Sequence, residues 1–256
     1  MKIGICAGFE MLDAAEEAGF DYIEFNLSAL EKLSESEFRE LKIRLSGSKI
    51  KCEVCNVMLP GGLSLHNDED EPKIREYIRG AYARASEIGV SIIVFGSGGA
   101  RRYPDQISRG EALDNLIKHA RFFGDEAKKN NLIIAIEPLN KNECNILNGI
   151  GESFEFINGV NHENVKLLAD FYHMRADGED IKIIEKTSGL VHTHIARGEG
   201  RTVPLSEDED IYADFFAALK NIGYAGRMSV EGRAVNFPED LQKSCGFLKK
   251  LGSEGA

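Results

Sequence analysis

The chain has 256 residues, 43% of them hydrophobic and 29% charged, a globular balance that supplies a sizeable core and excludes a disordered chain. A formal charge of -11 sets a mean field that repels nucleic acid and anionic membranes, so polyanion partners are disfavoured. No run approaches the roughly 18 uninterrupted apolar residues of a membrane span, and residues 1–8 lack the apolar stretch and cleavage site of a secretory signal, so a cytoplasmic protein is expected.

From end to end, short apolar runs alternate with longer amphipathic segments, the pattern of repeated strand-helix units around a parallel sheet. Strands are expected to begin at Lys2, Tyr22, Ile50, Val90, Leu132, Val165, Leu190 and Arg227. Ser91-Ile92-Ile93-Val94-Phe95 and Leu132-Ile133-Ile134-Ala135-Ile136 are the continuous apolar runs expected when both faces of a strand are covered. Helix signals fill the intervals at 13–18, 36–45, 73–88, 110–129, 151–158, 179–187, 212–222 and 238–251, and Gly19, Gly89, Gly189, Gly223 and Gly252 are placed to end helices in the left-handed conformation.

Eight such units at this length fit a closed (β/α)8 barrel or an open doubly wound sheet, since barrels of about 250 residues form one unit. The turn Gly96-Ser97-Gly98-Gly99-Ala100-Arg101 lacks the final glycine of a dinucleotide-binding loop and lies mid-chain, which favours the α/β TIM barrel. With no linker or low-complexity tract, a single domain over residues 1–256 is expected. Five cysteines, an odd number, fit reduced thiols. Cys52 and Cys55 form a C-x-x-C inside a strand, where residues three apart face opposite sides, so a redox or zinc role is not expected.

The second half of the chain places one metal-capable side chain near the C-terminal end of each strand: Glu137, Asp170, His194 and Glu231. In a barrel those ends converge on one mouth, where catalytic groups of this architecture sit. Three carboxylates packed together repel unless a cation lies among them, and three oxygens with one nitrogen suit manganese above all, with magnesium, cobalt or zinc also admitted. His192 shares a face with His194 but lies deeper, as a core or supporting histidine. His173 would sit in the loop over the site and His66, after the third strand, is within reach of the mouth, and both are taken as substrate contacts; His119 and His162 read as packing or surface residues.

These residues lie in the phrases Ile136-Glu137-Pro138-Leu139-Asn140-Lys141-Asn142-Glu143, Asp170-Phe171-Tyr172-His173-Met174, His192-Thr193-His194-Ile195-Ala196 with Arg201 downstream, and Ser229-Val230-Glu231. Together they resemble the xylose-isomerase-like TIM-barrel superfamily, and within it ketose 3-epimerases of the tagatose/psicose type and hydroxypyruvate isomerase-like proteins. The resemblance implies that Glu137, Asp170, His194 and Glu231 bind a metal, that Glu137 and Glu231 form the acid/base pair, and that Glu143, His173 and Arg201 contact the substrate. The interval from His194 to Arg201 is a residue longer than in the epimerases. Arg101 and Arg102, after the fourth strand, are read as loop arginines available to a phosphate or carboxylate.

The chemistry expected is proton transfer next to a carbonyl through a metal-stabilised enediolate: one glutamate removes the proton, and its return from the other face gives an epimer, or at the adjacent carbon an isomer. Alternatives are a metal-dependent lyase of the inosose dehydratase type, which would eliminate water with the same ligands, and a barrel that binds metal or sugar without turnover. An endonuclease IV-like nuclease is disfavoured, because the loop after the seventh strand lacks histidine and the composition offers no basic face. The expected partner is a small sugar, a ketose or a sugar phosphate, with a homo-oligomer admitted but no surface marking its interface.

Overall fold

Eight parallel strands pair in chain order and close on themselves, β8 returning to β1, in a computed structural model that describes residues 1–254. They are β1 (Lys2–Cys6), β2 (Tyr22–Asn26), β3 (Lys51–Asn56), β4 (Ile92–Phe95), β5 (Ile133–Ile136), β6 (Val165–Asp170), β7 (Leu190–Ile195) and β8 (Arg227–Val230). Alternate residues point to opposite faces. Tyr22, Val54, Ile92, Val94, Ala135 and Leu168 form a buried cluster inside the barrel, whereas Ile93, Phe95, Ile134 and Ile136 join the larger core beneath the helices. That double burial is why β4 and β5 read as unbroken apolar runs; each such side chain removed from water contributes about 1.5–3 kcal/mol.

The outer layer is α1 (Leu12–Glu17), α2 (Leu27–Lys32), α3 (Glu35–Gly47), α4 (Glu71–Glu87), α5 (Gly98–Arg101), α6 (Arg109–Lys129), α7 (Ile150–Val160), α8 (Phe171–Asp177), α9 (Tyr212–Asn221) and α10 (Glu239–Glu254). The long amphipathic helices fall where expected, to within a few residues at their ends. The expected helix at 179–187 forms instead as a tight 3-10 segment, Ile181–Lys186, with Asp180 capping its first turn. The short helices α2, α5 and α8 were not expected; α2 and α8 continue directly from the ends of β2 and β6, and α5 follows β4 after two residues, so no separate segment marks them in the sequence. Gly19, Gly89, Gly189 and Gly223 do have left-handed φ values of 89°, 89°, 78° and 68°. Gly252 does not cap a helix; it lies inside α10. Among the described residues no helix is long and apolar enough to cross a membrane.

One departure from ideal pairing corrects an expectation. Between β2 and β3 the register shifts, Ile23 facing Cys52 but Glu24 facing Val54, so Glu53 is an extra residue in β3. The skipped residue turns Cys52 and Cys55 to the same side, with their sulfurs 4.0 Å apart in the core beneath the helices, and the five cysteines are free thiols. Glu53 in turn accepts from Lys2 and Arg227, the first residues of β1 and β8, at the N-terminal end of the barrel.

Candidate active site

The four acidic and imidazole side chains singled out at strand ends meet at one point. Glu137 follows β5 and Glu231 follows β8, while Asp170 ends β6 and His194 lies near the end of β7. Each stands two residues beyond an inward-facing one (Ala135, Ser229, Leu168 and His192), so the pleat points all four into the mouth. One donor atom from each lies within 4.8 Å of the other three. His194 Nδ1 is 2.9 Å from Glu137 Oε1, 3.5 Å from Glu231 Oε2 and 3.7 Å from Asp170 Oδ2. His194 and Asp170 are fully buried and Glu137 nearly so, while the Glu231 side chain keeps 23% of its surface exposed, which opens the cluster on that side.

Local structure explains how each donor is aimed. Asp170 Oδ1 accepts the backbone N–H of His173 at 2.9 Å and so caps α8; Oδ2, buried and with no hydrogen-bond partner, is left facing the cluster. Glu137 is approached by Gly96, where a Cβ would lie 2.1 Å from Glu137 Oε2, so the glycine after β4 makes room for the carboxylate. Arg101, read from the sequence as a loop arginine, is instead fully buried and donates to the carbonyl oxygens of Phe95 and Glu137, propping the backbone on which that carboxylate is carried. Arg102 donates to the carbonyl of Asn142.

Glu24 escaped the sequence reading. It is fully buried inside the barrel on β2, and its two oxygens meet His194 Nε2 at 3.0 Å and His192 Nε2 at 2.9 Å. Ser229 Oγ donates to it as well, and Tyr22 joins Ser229 at 2.7 Å. The signal available was a lone acid at an inward position of a strand, on the same face as Tyr22. Since Nε2 of His194 is engaged by Glu24, Nδ1 is the nitrogen presented to the three carboxylates.

The electrostatics of the cluster would accommodate a cation at that point. Burial raises the Glu137 carboxyl above its ordinary range, with His194 only partly offsetting it. Burial also pushes on Glu231 and Asp170, but His194, Arg201 and His173 between them hold both below their ordinary values. Burial opposes charge on His194, yet Glu24 and the surrounding acids raise it well above an ordinary histidine. Positive charge is thus favoured at Nδ1, and three carboxylates, among them the partnerless Asp170 oxygen, with one imidazole nitrogen form a donor set suited to a divalent ion. Cys6, at the end of β1, lies beside Glu24 and His194, and burial raises its thiol.

Around this cluster stand the other residues singled out. Arg201 donates to Glu231 Oε2 at 2.6 Å and to Glu143 Oε1 at 3.3 Å, with its guanidinium 4.5 Å from the centre of the Tyr172 ring. It rides on a short parallel bridge between the loops after β7 and β8: Thr202 pairs with Arg233, Arg233 N–H donates to Arg201 O, and Val203 N–H donates to Arg233 O. Gly232 permits the approach, since a Cβ there would lie 2.6 Å from the Thr202 backbone. Asn56, at the end of β3, reaches Glu231 Oε1 at 3.4 Å. His173 is buried next to Asp170, and Asn140 binds its Nδ1. His66 lies outside the cluster, with its Nε2 on the carbonyl of Arg101 at 2.8 Å and its ring against Tyr103. His192 supports from below as expected; His119 packs on Phe123, and His162 pairs with Asp125.

A family model described as xylose isomerase-like TIM barrel matches residues 12–251. The chain is 26% identical over 232 residues to a D-psicose 3-epimerase of Ruminiclostridium cellulolyticum, covering 86% of this chain and 76% of that one. It is 25% identical over 240 residues to an inosose isomerase of Halalkalibacterium halodurans, covering 86% and 80%. A solved structure of D-psicose 3-epimerase with D-tagatose from Clostridium cellulolyticum superposes with a TM-score of 0.86 over 99% of each chain at 19% identity, a likeness of fold.

Proposed function

We propose that this chain, which belongs to the xylose isomerase-like TIM barrel family, is a divalent-metal-dependent isomerase that epimerises or isomerises a small ketose. The observation that carries the reading is the convergence of Glu137, Asp170, His194 and Glu231 from four successive strands, with donor atoms within 4.8 Å of one another. Named relatives that act on D-psicose and inosose support a ketone-bearing polyol as substrate.

Glu137, Asp170, His194 through Nδ1, and Glu231 would hold the ion, manganese being the best match to a mixed oxygen and nitrogen set. When bound, it supplies Lewis acidity to the carbonyl and the neighbouring hydroxyl of the sugar. Glu137 and Glu231 come from the two ends of the four-strand arc and therefore flank whatever sits at its centre. Glu231, kept ionised by His194 and Arg201, removes the proton next to the carbonyl, and Glu137 delivers one to the other face, which inverts that carbon. Return of the proton by one carboxylate to the adjacent carbon gives the aldose-ketose outcome instead. Arg201, Glu143 and His173 orient the hydroxyls, and His66 supports the rim of the mouth through Arg101.

Incubation with manganese and D-tagatose, D-fructose or an inosose in deuterated water tests this. Deuterium should enter next to the carbonyl without loss of water, and Glu231→Gln should lower the exchange rate by about a thousandfold or more. Loss of water would make the protein a lyase; exchange unaffected by Glu231→Gln would remove the proposed base.

A further inference from the structure

Asn140, 2% exposed, lies three residues after Glu137 and three before Glu143. Its Oδ1 accepts the backbone N–H groups of Asn142 at 3.1 Å and Glu143 at 3.2 Å, which fixes the amide plane and turns Nδ2 the other way. Nδ2 then reaches Glu143 Oε1 at 2.9 Å and His173 Nδ1 at 2.8 Å, and the backbone N–H of Asn140 donates to that same Nδ1 at 3.2 Å. A backbone N–H can only donate. His173 Nδ1 is therefore an acceptor, and the ring proton resides on Nε2.

That Nε2 is buried, has no hydrogen-bond partner, and stands 3.9 Å from Asp170 Oδ2, which is likewise buried and partnerless. Leaving a buried donor unpaired is costly, and such a group in a cleft is where a ligand atom is met. We propose that Asn140 is a positioning residue that locks His173 as an Nε2–H donor while its amide holds Glu143 as an acceptor. The site then selects a sugar that offers an acceptor oxygen to His173 beside Asp170 and a hydroxyl hydrogen to Glu143. The choice of ligand rests on the sugar-isomerase reading; the ring state of His173 does not.

The test uses the full-length protein labelled with 15N at histidine and loaded with magnesium, whose diamagnetism permits NMR. Long-range 1H–15N correlations should show His173 with a bare Nδ1 and a protonated Nε2; a proton on Nδ1 overturns the proposal without any variant. Asn140→Asp, nearly isosteric, puts an acceptor oxygen where Nδ2 lay, so the backbone N–H alone is left to hold Nδ1 as an acceptor and a measurable share of His173 rings should carry a proton there. KM for the ketose should then rise roughly tenfold or more, with manganese affinity by calorimetry within about threefold of the parent. In that background His173→Gln, whose amide donates from the Nε2 position, should restore KM to within about threefold. An unchanged KM in Asn140→Asp, or a fall in manganese affinity that matches the rise in KM, overturns the positioning role. Failure of the parent to exchange deuterium into any ketose sinks the sugar reading alone, since the nitrogen spectra still report on His173.

Discussion

Glu24 decides which nitrogen of His194 can meet a cation. By accepting from Nε2 it leaves Nδ1 toward the three carboxylates, and His194 and His192 hold its carboxyl far below the ordinary range in spite of complete burial. Glu24→Gln keeps the shape and removes the charge. Manganese affinity measured by calorimetry at constant pH is expected to fall about tenfold to a hundredfold; a value within a factor of about two of the parent would show that Glu24 only fills space. Glu137, Asp170, His194 and Glu231 were legible one by one, because each sits at a strand end and the pleat tells which way it points. Glu24 and Asn140 were not, because their partners lie 168 and 170 residues away in one case and 33 in the other, and sequence patterning carries no record of such pairings.

Helices and strands long enough to show their period were readable; the exceptions have local causes. A single inserted residue, Glu53, reverses the facing of everything beyond it in β3, and alternation counted along the sequence cannot reveal it. His119 on α6 shows how an element carries a pH response. Burial against Phe123 lowers its pKa to about 4, with the nearby acid Glu71 opposing that shift and the cations Lys118 and Arg75 adding to it. A histidine depressed in the folded state stabilises the fold fully above its unfolded value of about 6.5, and the contribution drains away as pH falls from there toward 4, because the unfolded chain takes the proton first. The loss approaches about 3 kcal/mol. Urea denaturation at pH 7 and 4.5 should show a smaller drop in His119→Gln than in the parent; equal drops would remove the histidine from the account.

For the molecule as a whole, closure of the barrel was legible from eight repeated units, while the packing of its interior was not. Gly4 on β1 shows what closure demands: a Cβ there would lie 2.3 Å from the ring of Tyr22, whose hydroxyl is bound to Ser229 on β8. Gly4→Ala should therefore force three adjoining strands apart and cost about 1–3 kcal/mol, read as a lower denaturation midpoint. An unchanged midpoint would mean that Tyr22 can step aside.

The bridge from Thr202 to Arg233 ties the carrier of Arg201 to the segment just past Glu231. One quadrant of the rim is consequently a single stiff plate, and a guanidinium mounted on it cannot follow a differently shaped guest by itself. Breeding this barrel toward new sugars by varying one of those two loops in isolation will mostly yield misaligned variants, so both must be diversified together, with Gly232 left alone as the hinge pin that lets them touch.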